Sequence, residues 1–271
     1  MRIVTIPHSN MRIALLDMPG TDPSALVQVF LHGLGSSSIA TFPAIAAHPS
    51  LRSARSILID LPGFGYSSAP SSAPSSSPAY PSFRIEDQAE AVACVLGHLE
   101  VPHAHVIGHS MGGSIAIALA NARPDLVARL TVAEPNLDPG HGALSNHIIR
   151  RSESGFVERG YAMLVRGMQQ QANCGDTNAA IFLGTVLQAS PVALHRAATS
   201  LLAERTPTFR EQFVHARMPR TFIAGARSND VDPSDITPHG IAFVEIPNAG
   251  HVMMDDAPNA FAQAVAIIPS G

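Results

Sequence analysis

Short apolar segments alternate along this chain with longer segments whose apolar residues recur every three or four positions. Several short segments, such as Ile57-Leu58-Ile59, are continuously apolar, which is typical of strands buried on both faces. The pattern predicts strands at Ile3 to Ile6, Arg12 to Asp17, Val27 to Leu31, Ser56 to Asp60, His105 to Ile107, Leu130 to Ala133, Thr221 to Ala224 and Ala242 to Ile246. This alternation predicts an α/β fold around a mostly parallel central sheet, with helices on both faces.

Helical spacing of apolar residues is clearest in three segments outside the middle of the chain. It predicts helices from Ile85 to Leu99, from Met111 to Ala122 and from about Pro258 to Ile267. Asp256 lies two residues before Pro258, so we expect its side chain to cap the start of the last helix.

A long segment between Ala133 and Thr221 has no convincing strand pattern. Its apolar spacing predicts helices at Ser152 to Met168, Ala179 to Leu187 and Val192 to Leu202. A helical insertion that interrupts an α/β sheet usually lies over the strand ends, where ligands bind. We therefore predict a core domain of residues 1–134 and 217–271, and a helical lid of residues 135–216.

One stretch has low complexity. Residues 69–82 read APSSAPSSSPAYPS, and this composition offers little apolar surface to bury. We interpret it as a surface loop.

A strand, a tight turn and a helix meet at Gly108-His109-Ser110-Met111-Gly112. This is the context of a nucleophile elbow, in which small neighbours let a serine occupy a sharp turn. The backbone N–H of Met111 would then point into the site beside the Ser110 hydroxyl. A G-x-S-x-G match alone arises by chance in about one chain in ten, so the other segments carry the interpretation.

Two further loops supply matching groups in the expected order. The glycine-rich turn His32-Gly33-Leu34-Gly35 follows a predicted strand and can aim the Leu34 N–H at a developing oxyanion. His251 follows the last predicted strand, in a loop that can reach the strand ends, and is the natural base. His32 is expected to brace its turn by hydrogen bonding, and His109 to form a wall of the site.

At these segments the chain resembles the α/β-hydrolase fold family, almost from end to end. The segments are FLHGLG at 30–35, DLPGFGYS at 60–67, GHSMGG at 108–113 and PNAGH at 247–251. The resemblance implies that Ser110 attacks an acyl carbon, that His251 moves the proton, and that an acidic residue orients the imidazole. It implies an oxyanion hole from Leu34 and Met111, and no cofactor or metal ion.

The acidic residue is where this sequence departs from the commonest family pattern. Most members carry Asp a few residues after the penultimate strand, where this chain has Ser228. Two candidates remain. Asp230 lies two residues further on, whereas Glu134 follows the strand that ends at Ala133, as in some lactone hydrolases. We favour Glu134, because its extra methylene helps to span the distance from the neighbouring strand end.

Composition excludes several other functions. The chain has 271 residues, 46% hydrophobic and 14% charged, which suits one sizeable core. All 17 basic residues are Arg, so chemistry that needs a lysine, such as Schiff bases, Walker-A loops and Ser-Lys hydrolases, is excluded. A net charge of −4 without a basic run argues against nucleic-acid binding.

Cysteine and histidine spacing favours neither disulfides nor a metal site. Cys94 and Cys174 are far apart, and the pair His103 and His105 lacks a third ligand nearby. The start of the chain lacks a signal-peptide pattern, and no apolar run approaches about 18 residues. The predicted location is cytoplasmic, without a membrane partner, and a homodimer is allowed.

The sequence thus predicts a serine hydrolase acting on a small apolar ester or lactone. Two alternatives stay open: hydrolysis of a carbon–carbon bond in a diketone by the same residues, and a receptor that binds a ligand with little turnover.

Overall fold

A computed structural model describes residues 1–6, 11–67, 82–228 and 232–268. Within these ranges, eight strands form one sheet. They are β1 (Arg2–Thr5), β2 (Arg12–Met18), β3 (Val27–Leu31), β4 (Ser56–Ile59), β5 (Ala104–His109), β6 (Val127–Ala133), β7 (Arg220–Gly225) and β8 (Ala242–Ile246). The predicted α/β architecture is confirmed, with strand ends within three residues of their predicted positions.

The sheet has the order β1-β2-β4-β3-β5-β6-β7-β8. Strand β2 pairs antiparallel with β1 and with β4. Every other neighbouring pair in the sheet is parallel. The carboxyl ends of β3, β5, β6, β7 and β8 therefore lie at one edge. In open parallel sheets this is the edge where ligands bind.

Alternate strand residues pack into two apolar layers on opposite faces of the sheet. In β4, Ile57 and Ile59 belong to one layer and Leu58 to the other, and in β3 Phe30 is separated in the same way from Val29 and Leu31. Because both faces are covered, most strand positions are apolar. This explains why their sequence pattern is so clear.

Twelve α-helical segments occur in the described residues: α1 (Ser38–Thr41), α2 (Pro43–Ala46), α3 (Ile85–His98), α4 (Met111–Ala122), α5 (Ala143–Ile149), α6 (Glu153–Gly155), α7 (Tyr161–Asn173), α8 (Thr177–Val186), α9 (Pro191–Leu202), α10 (Phe209–His215), α11 (Met253–Asp256) and α12 (Pro258–Ala266). A π-helical turn, Phe156–Gly160, joins α6 to α7. Helices α3 and α4 pack together on one face of the sheet, and α2 packs against α12 on the other.

Helices α5 to α10 lie between β6 and β7, where the sequence predicts the lid. Helices α5 to α9 contact one another, whereas α10 packs against α4. The Ser190 side chain caps α9. The backbone N–H of Ser190 donates to Gly63 O at 2.8 Å, and this bond joins the helices after β6 to the loop after β4. The division into a core and a lid at residues 135–216 stays a prediction.

Two other expectations fall partly or wholly outside the described residues. Residues 68–81, which include most of the predicted surface loop, lie outside them, and so does the candidate acid Asp230.

A membrane span requires a helix that is both long and apolar. Among the described residues, no single helix is long and apolar enough to cross a membrane. Helices α8 and α9, which meet at 112°, have the required length and composition only when they are taken together. The cytoplasmic location stays a prediction.

Candidate active site

Ser110 occupies the sharp turn between β5 and α4. Its backbone has φ 53° and ψ −122°, a region that residues other than glycine rarely adopt. The turn closes because its neighbours lack side chains: a Cβ on Gly108 would lie 2.3 Å from Gly112 O, and one on Gly112 would lie 2.3 Å from Leu31 O. The backbone thus fixes Ser110 at the edge of the sheet where the parallel strands end.

His251 and Glu134 are hydrogen-bonded although 117 positions separate them. His251 Nδ1 lies 2.7 Å from Glu134 Oε2, and the Gly225 N–H donates to Glu134 Oε1 at 2.8 Å. A carboxylate oxygen only accepts, so Nδ1 carries the proton, and Nε2 of the neutral ring is left with a lone pair. The imidazole can therefore act as a base through Nε2.

The environment of Glu134 keeps its carboxylate ionised. Burial alone would raise its pKa, but the hydrogen bonds from His251 and from the Gly225 N–H outweigh burial, and the pKa lies below its usual value. The residue follows β6 with φ 43°, in the left-handed region that residues other than glycine seldom adopt.

The turn after β3 packs directly against Ser110. A Cβ on Gly33 would lie 3.3 Å from Ser110 Cβ, and Leu34 lines the same pocket as Ser110. Met111 begins α4, and the first N–H groups of a helix have no acceptor within it. The two predicted oxyanion donors thus belong to segments that flank the serine.

His32 holds this turn in place as expected. Its Nδ1–H donates to Gly33 O at 2.8 Å, and its Nε2 accepts from the Leu61 N–H at 3.0 Å. The ring is fully buried, and burial lowers its pKa, so it remains neutral.

His109 lies in the wall of the site, as expected, and also makes a hydrogen bond to the loop that holds His251. It lines the pocket, and its Nε2–H donates to the backbone oxygen of His251 at 2.8 Å, with the two ring centres 4.8 Å apart. Burial and the nearby His251 lower the pKa of His109 to about 3. This neutral side chain therefore links the serine turn to the histidine loop, a role for which no sequence pattern provides a signal.

Asp256 also holds the histidine loop, and the expectation that it caps the helix from Pro258 is wrong. The cap residue of α12 is Ala257, without a side-chain hydrogen bond. Asp256 Oδ2 instead accepts from the Gly250 N–H at 2.7 Å, and Oδ1 accepts from Asn178 Nδ2 of α8 at 3.0 Å. Asp256 is the last residue of the short helix α11, which ends before Ala257.

A cavity of about 550 Å³ brings these groups together under the helices that follow β6. Ser110, Glu134 and His251 all line it, and so do apolar side chains that include Leu34, Phe42, Leu137, Met168, Phe182 and Leu201. A volume of this size suits a small organic ligand.

Of the pair His103 and His105, His105 has hydrogen-bond partners on both ring nitrogens. His105 is buried in β5, where its Nε2 lies 2.8 Å from Thr131 Oγ1 and its Nδ1 accepts from Arg129 Nη2 at 2.8 Å. No group of three or more potential metal ligands occurs within the residues that the structure describes.

Several known proteins are similar to this chain. A family model described as the alpha/beta hydrolase fold matches residues 29–159. The sn-1-specific diacylglycerol lipase ABHD11 of Mus musculus is 28% identical over 93% of this chain and 82% of its own length. An acetyltransferase component of the acetoin cleaving system of Pseudomonas putida is 33% identical, but the match spans 38% of this chain and a quarter (25%) of that protein's length.

Solved structures agree over nearly the whole chain. A thermophilic esterase from Thermogutta terrifontis superposes with a TM-score of 0.75 at 21% identity, covering 97% of this chain and 96% of the esterase. The enol-lactonase from Burkholderia xenovorans LB400 superposes with a TM-score of 0.76 at 16% identity, covering 97% and 98%. The eight-stranded sheet, the matched family model and these superpositions agree, and the chain has the α/β-hydrolase fold.

Proposed function

We propose that this protein is a serine hydrolase that cleaves a carboxylic ester or lactone through an acyl-enzyme intermediate. The observation that carries the proposal is the 2.7 Å bond between His251 Nδ1 and Glu134 Oε2, in a pocket that Ser110 also lines. A nucleophile beside a base, with the base oriented by a third group, is the arrangement that nucleophilic catalysis requires.

The reaction begins at Ser110. Its Oγ attacks the acyl carbon as His251 Nε2 takes the hydroxyl proton, and Glu134 stabilises the imidazolium that forms. The oxyanion accepts hydrogen bonds from the Leu34 and Met111 N–H groups. His251 then gives the proton to the departing alcohol oxygen. In the second half, a water molecule attacks the acyl carbon as Nε2 takes its proton, and His251 returns that proton to Ser110 Oγ as the carboxylic acid leaves.

The substrate class is a small apolar ester or lactone. The apolar lining of the 550 Å³ cavity supports an apolar acyl group. The solved structures with the same fold include an esterase and an enol-lactonase, both of whose names describe hydrolysis of an acyl–oxygen bond. A lipase is among the relatives matched over most of the chain.

The test is the substitution Ser110→Ala, measured on p-nitrophenyl acetate, p-nitrophenyl butyrate and a panel of lactones. We expect repeated turnover by the unsubstituted protein and loss of turnover by at least 10³-fold in the variant, by analogy with removal of a triad member. A fluorophosphonate should add one adduct to the protein and none to the variant. Ser24→Ala, on an exposed loop, is the matched control and should keep full activity.

Persistent activity in Ser110→Ala would exclude the assignment. A single slow event per molecule, with a ligand-dependent rise in Tm, would favour a receptor instead.

A further inference from the structure

Asp255 lies in the wall of the substrate pocket, four positions after His251. It belongs to the short helix α11, its side chain is half-buried, and it lines the same cavity as Ser110. Among the residues that the structure describes, its carboxylate has no hydrogen-bond or ion-pair partner, in contrast to that of the adjacent Asp256.

The other charged side chains of the pocket are already paired. Besides histidines, the ionisable groups that line it are Glu134, Asp138, Asp255 and Arg210. Glu134 is held by His251, and Arg210 Nη2 donates to Asp138 Oδ2 at 2.7 Å while its Nε lies 3.0 Å from the same oxygen. Asp255 is thus the one lining carboxylate among these described groups without a hydrogen-bond or ion-pair partner.

Burial and the charge of Asp256 both raise the pKa of Asp255. Partly apolar surroundings without a nearby cation raise the pKa of any carboxyl group. The same surroundings strengthen the field of Asp255 in the cavity, since charges interact more strongly where water is partly excluded.

We propose that Asp255 determines the charge of the acyl group that the pocket accepts, favouring neutral or cationic acyl groups and disfavouring those with a carboxylate. The inference rests on the proposed hydrolase function and specifies its substrate class. Arg210 does not offset the effect, because its guanidinium is already bound by Asp138. A free carboxylate on the substrate would meet Asp255 without a free cation among the described lining residues.

The experiment compares p-nitrophenyl pentanoate with mono-p-nitrophenyl succinate, which have similar lengths but differ in one terminal negative charge. A third probe, p-nitrophenyl 4-(trimethylammonio)butanoate, carries the opposite charge. We expect kcat/KM to fall in the order cationic, neutral, anionic. Two unit charges about 8 Å apart, at an effective dielectric constant of about 20 to 40, change a rate ratio by about tenfold.

Asp255→Asn keeps the shape of the side chain and removes its charge. It should lower the ratio of kcat/KM for the neutral ester to kcat/KM for the anionic ester by about tenfold, mainly by raising kcat/KM for the anionic ester. Glu245→Gln removes an equal charge from an exposed position on β8 and should leave the ratio unchanged. High salt should weaken the discrimination of the unsubstituted protein, since it screens charges.

The outcomes separate this inference from the proposed function. If no ester is turned over, the hydrolase function fails. If the neutral ester is hydrolysed but the ratio is the same in Asp255→Asn and the unsubstituted protein, or all probes change in parallel, the role of Asp255 is overturned and the hydrolase function stands.

Discussion

Replacing Glu134 by glutamine tests how the imidazole is oriented, because the two carboxylate oxygens have different partners. Oε2 accepts from His251 Nδ1 at 2.7 Å, and Oε1 accepts from the Gly225 N–H at 2.8 Å. An amide has one acceptor oxygen and one donor NH₂ group. If its oxygen stays on the Gly225 N–H, its NH₂ faces His251, and Nδ1 must become the acceptor. The ring proton then sits on Nε2, which can no longer take a proton from Ser110.

The opposite amide orientation restores the useful tautomer at a cost. It places the NH₂ group against the Gly225 N–H, which leaves a buried donor unsatisfied and costs about 1–3 kcal/mol. The unproductive tautomer therefore predominates by roughly 5-fold to 150-fold. Even the productive molecules lack the negative charge that stabilises the imidazolium of His251. Together these losses should lower kcat by about 10³–10⁴-fold, or about 4–5.5 kcal/mol in the activation free energy.

The assay is steady-state hydrolysis of p-nitrophenyl butyrate, with far-ultraviolet circular dichroism and Tm to show that the variant is folded. Asp230→Asn is the matched comparison, because Asp230 is the alternative acid. It should retain kcat within about tenfold. If Glu134→Gln keeps kcat within tenfold while Asp230→Asn loses it, the acid is Asp230 and the reasoning from Glu134 is refuted.

Two further predictions concern the residues that hold the histidine loop. Asp256→Asn should lower kcat on short esters by about tenfold, since its carboxylate accepts the Gly250 N–H beside His251. Asn178→Ala, which removes only the contact from α8, should keep kcat within about twofold, and equal losses in the two variants would contradict this. The stability of the fold should fall as the pH decreases below 6.5, because the pKa of His109 is lowered to about 3 and the unfolded chain binds a proton that the folded chain excludes. The free energy of unfolding can be measured with urea from pH 6 to 4.5. Its decrease per pH unit should be about 1.4 kcal/mol smaller in His109→Gln than in the unsubstituted protein. An equal decrease in the two proteins would count against a buried neutral His109.

Strands and the serine turn are predictable from the sequence because local rules determine them. The parallel strands are mostly apolar, and β3 and β8 have the predicted bounds. Helix α4 begins at Met111 as expected, because two glycines make the turn before it possible. At these positions the local pattern and the packing require the same residues.

Short helices and the loop contacts were not predictable in this way. Helices α1, α2 and α11 have four residues each, too few for a helical period to appear. The role of Asp256 could not be predicted for the same reason, because Asp256 is the last residue of the short helix α11. The pocket position of Asp255 depends on the packing of segments distant in sequence, so the sequence alone suggests only a charge near a helix start.

The position of the acidic residue follows from the strand order. Because β7 lies between β6 and β8, a side chain from the end of β6 must pass the end of β7 to reach the loop that holds His251. Gly225 is the last residue of β7, and a Cβ there would lie 2.4 Å from Gly250 O, so this strand end must be a glycine. The glycine leaves room for Glu134 and donates its N–H to the carboxylate. A glutamate after β6, longer than aspartate by one methylene, can thus reach past β7 to the loop that holds His251.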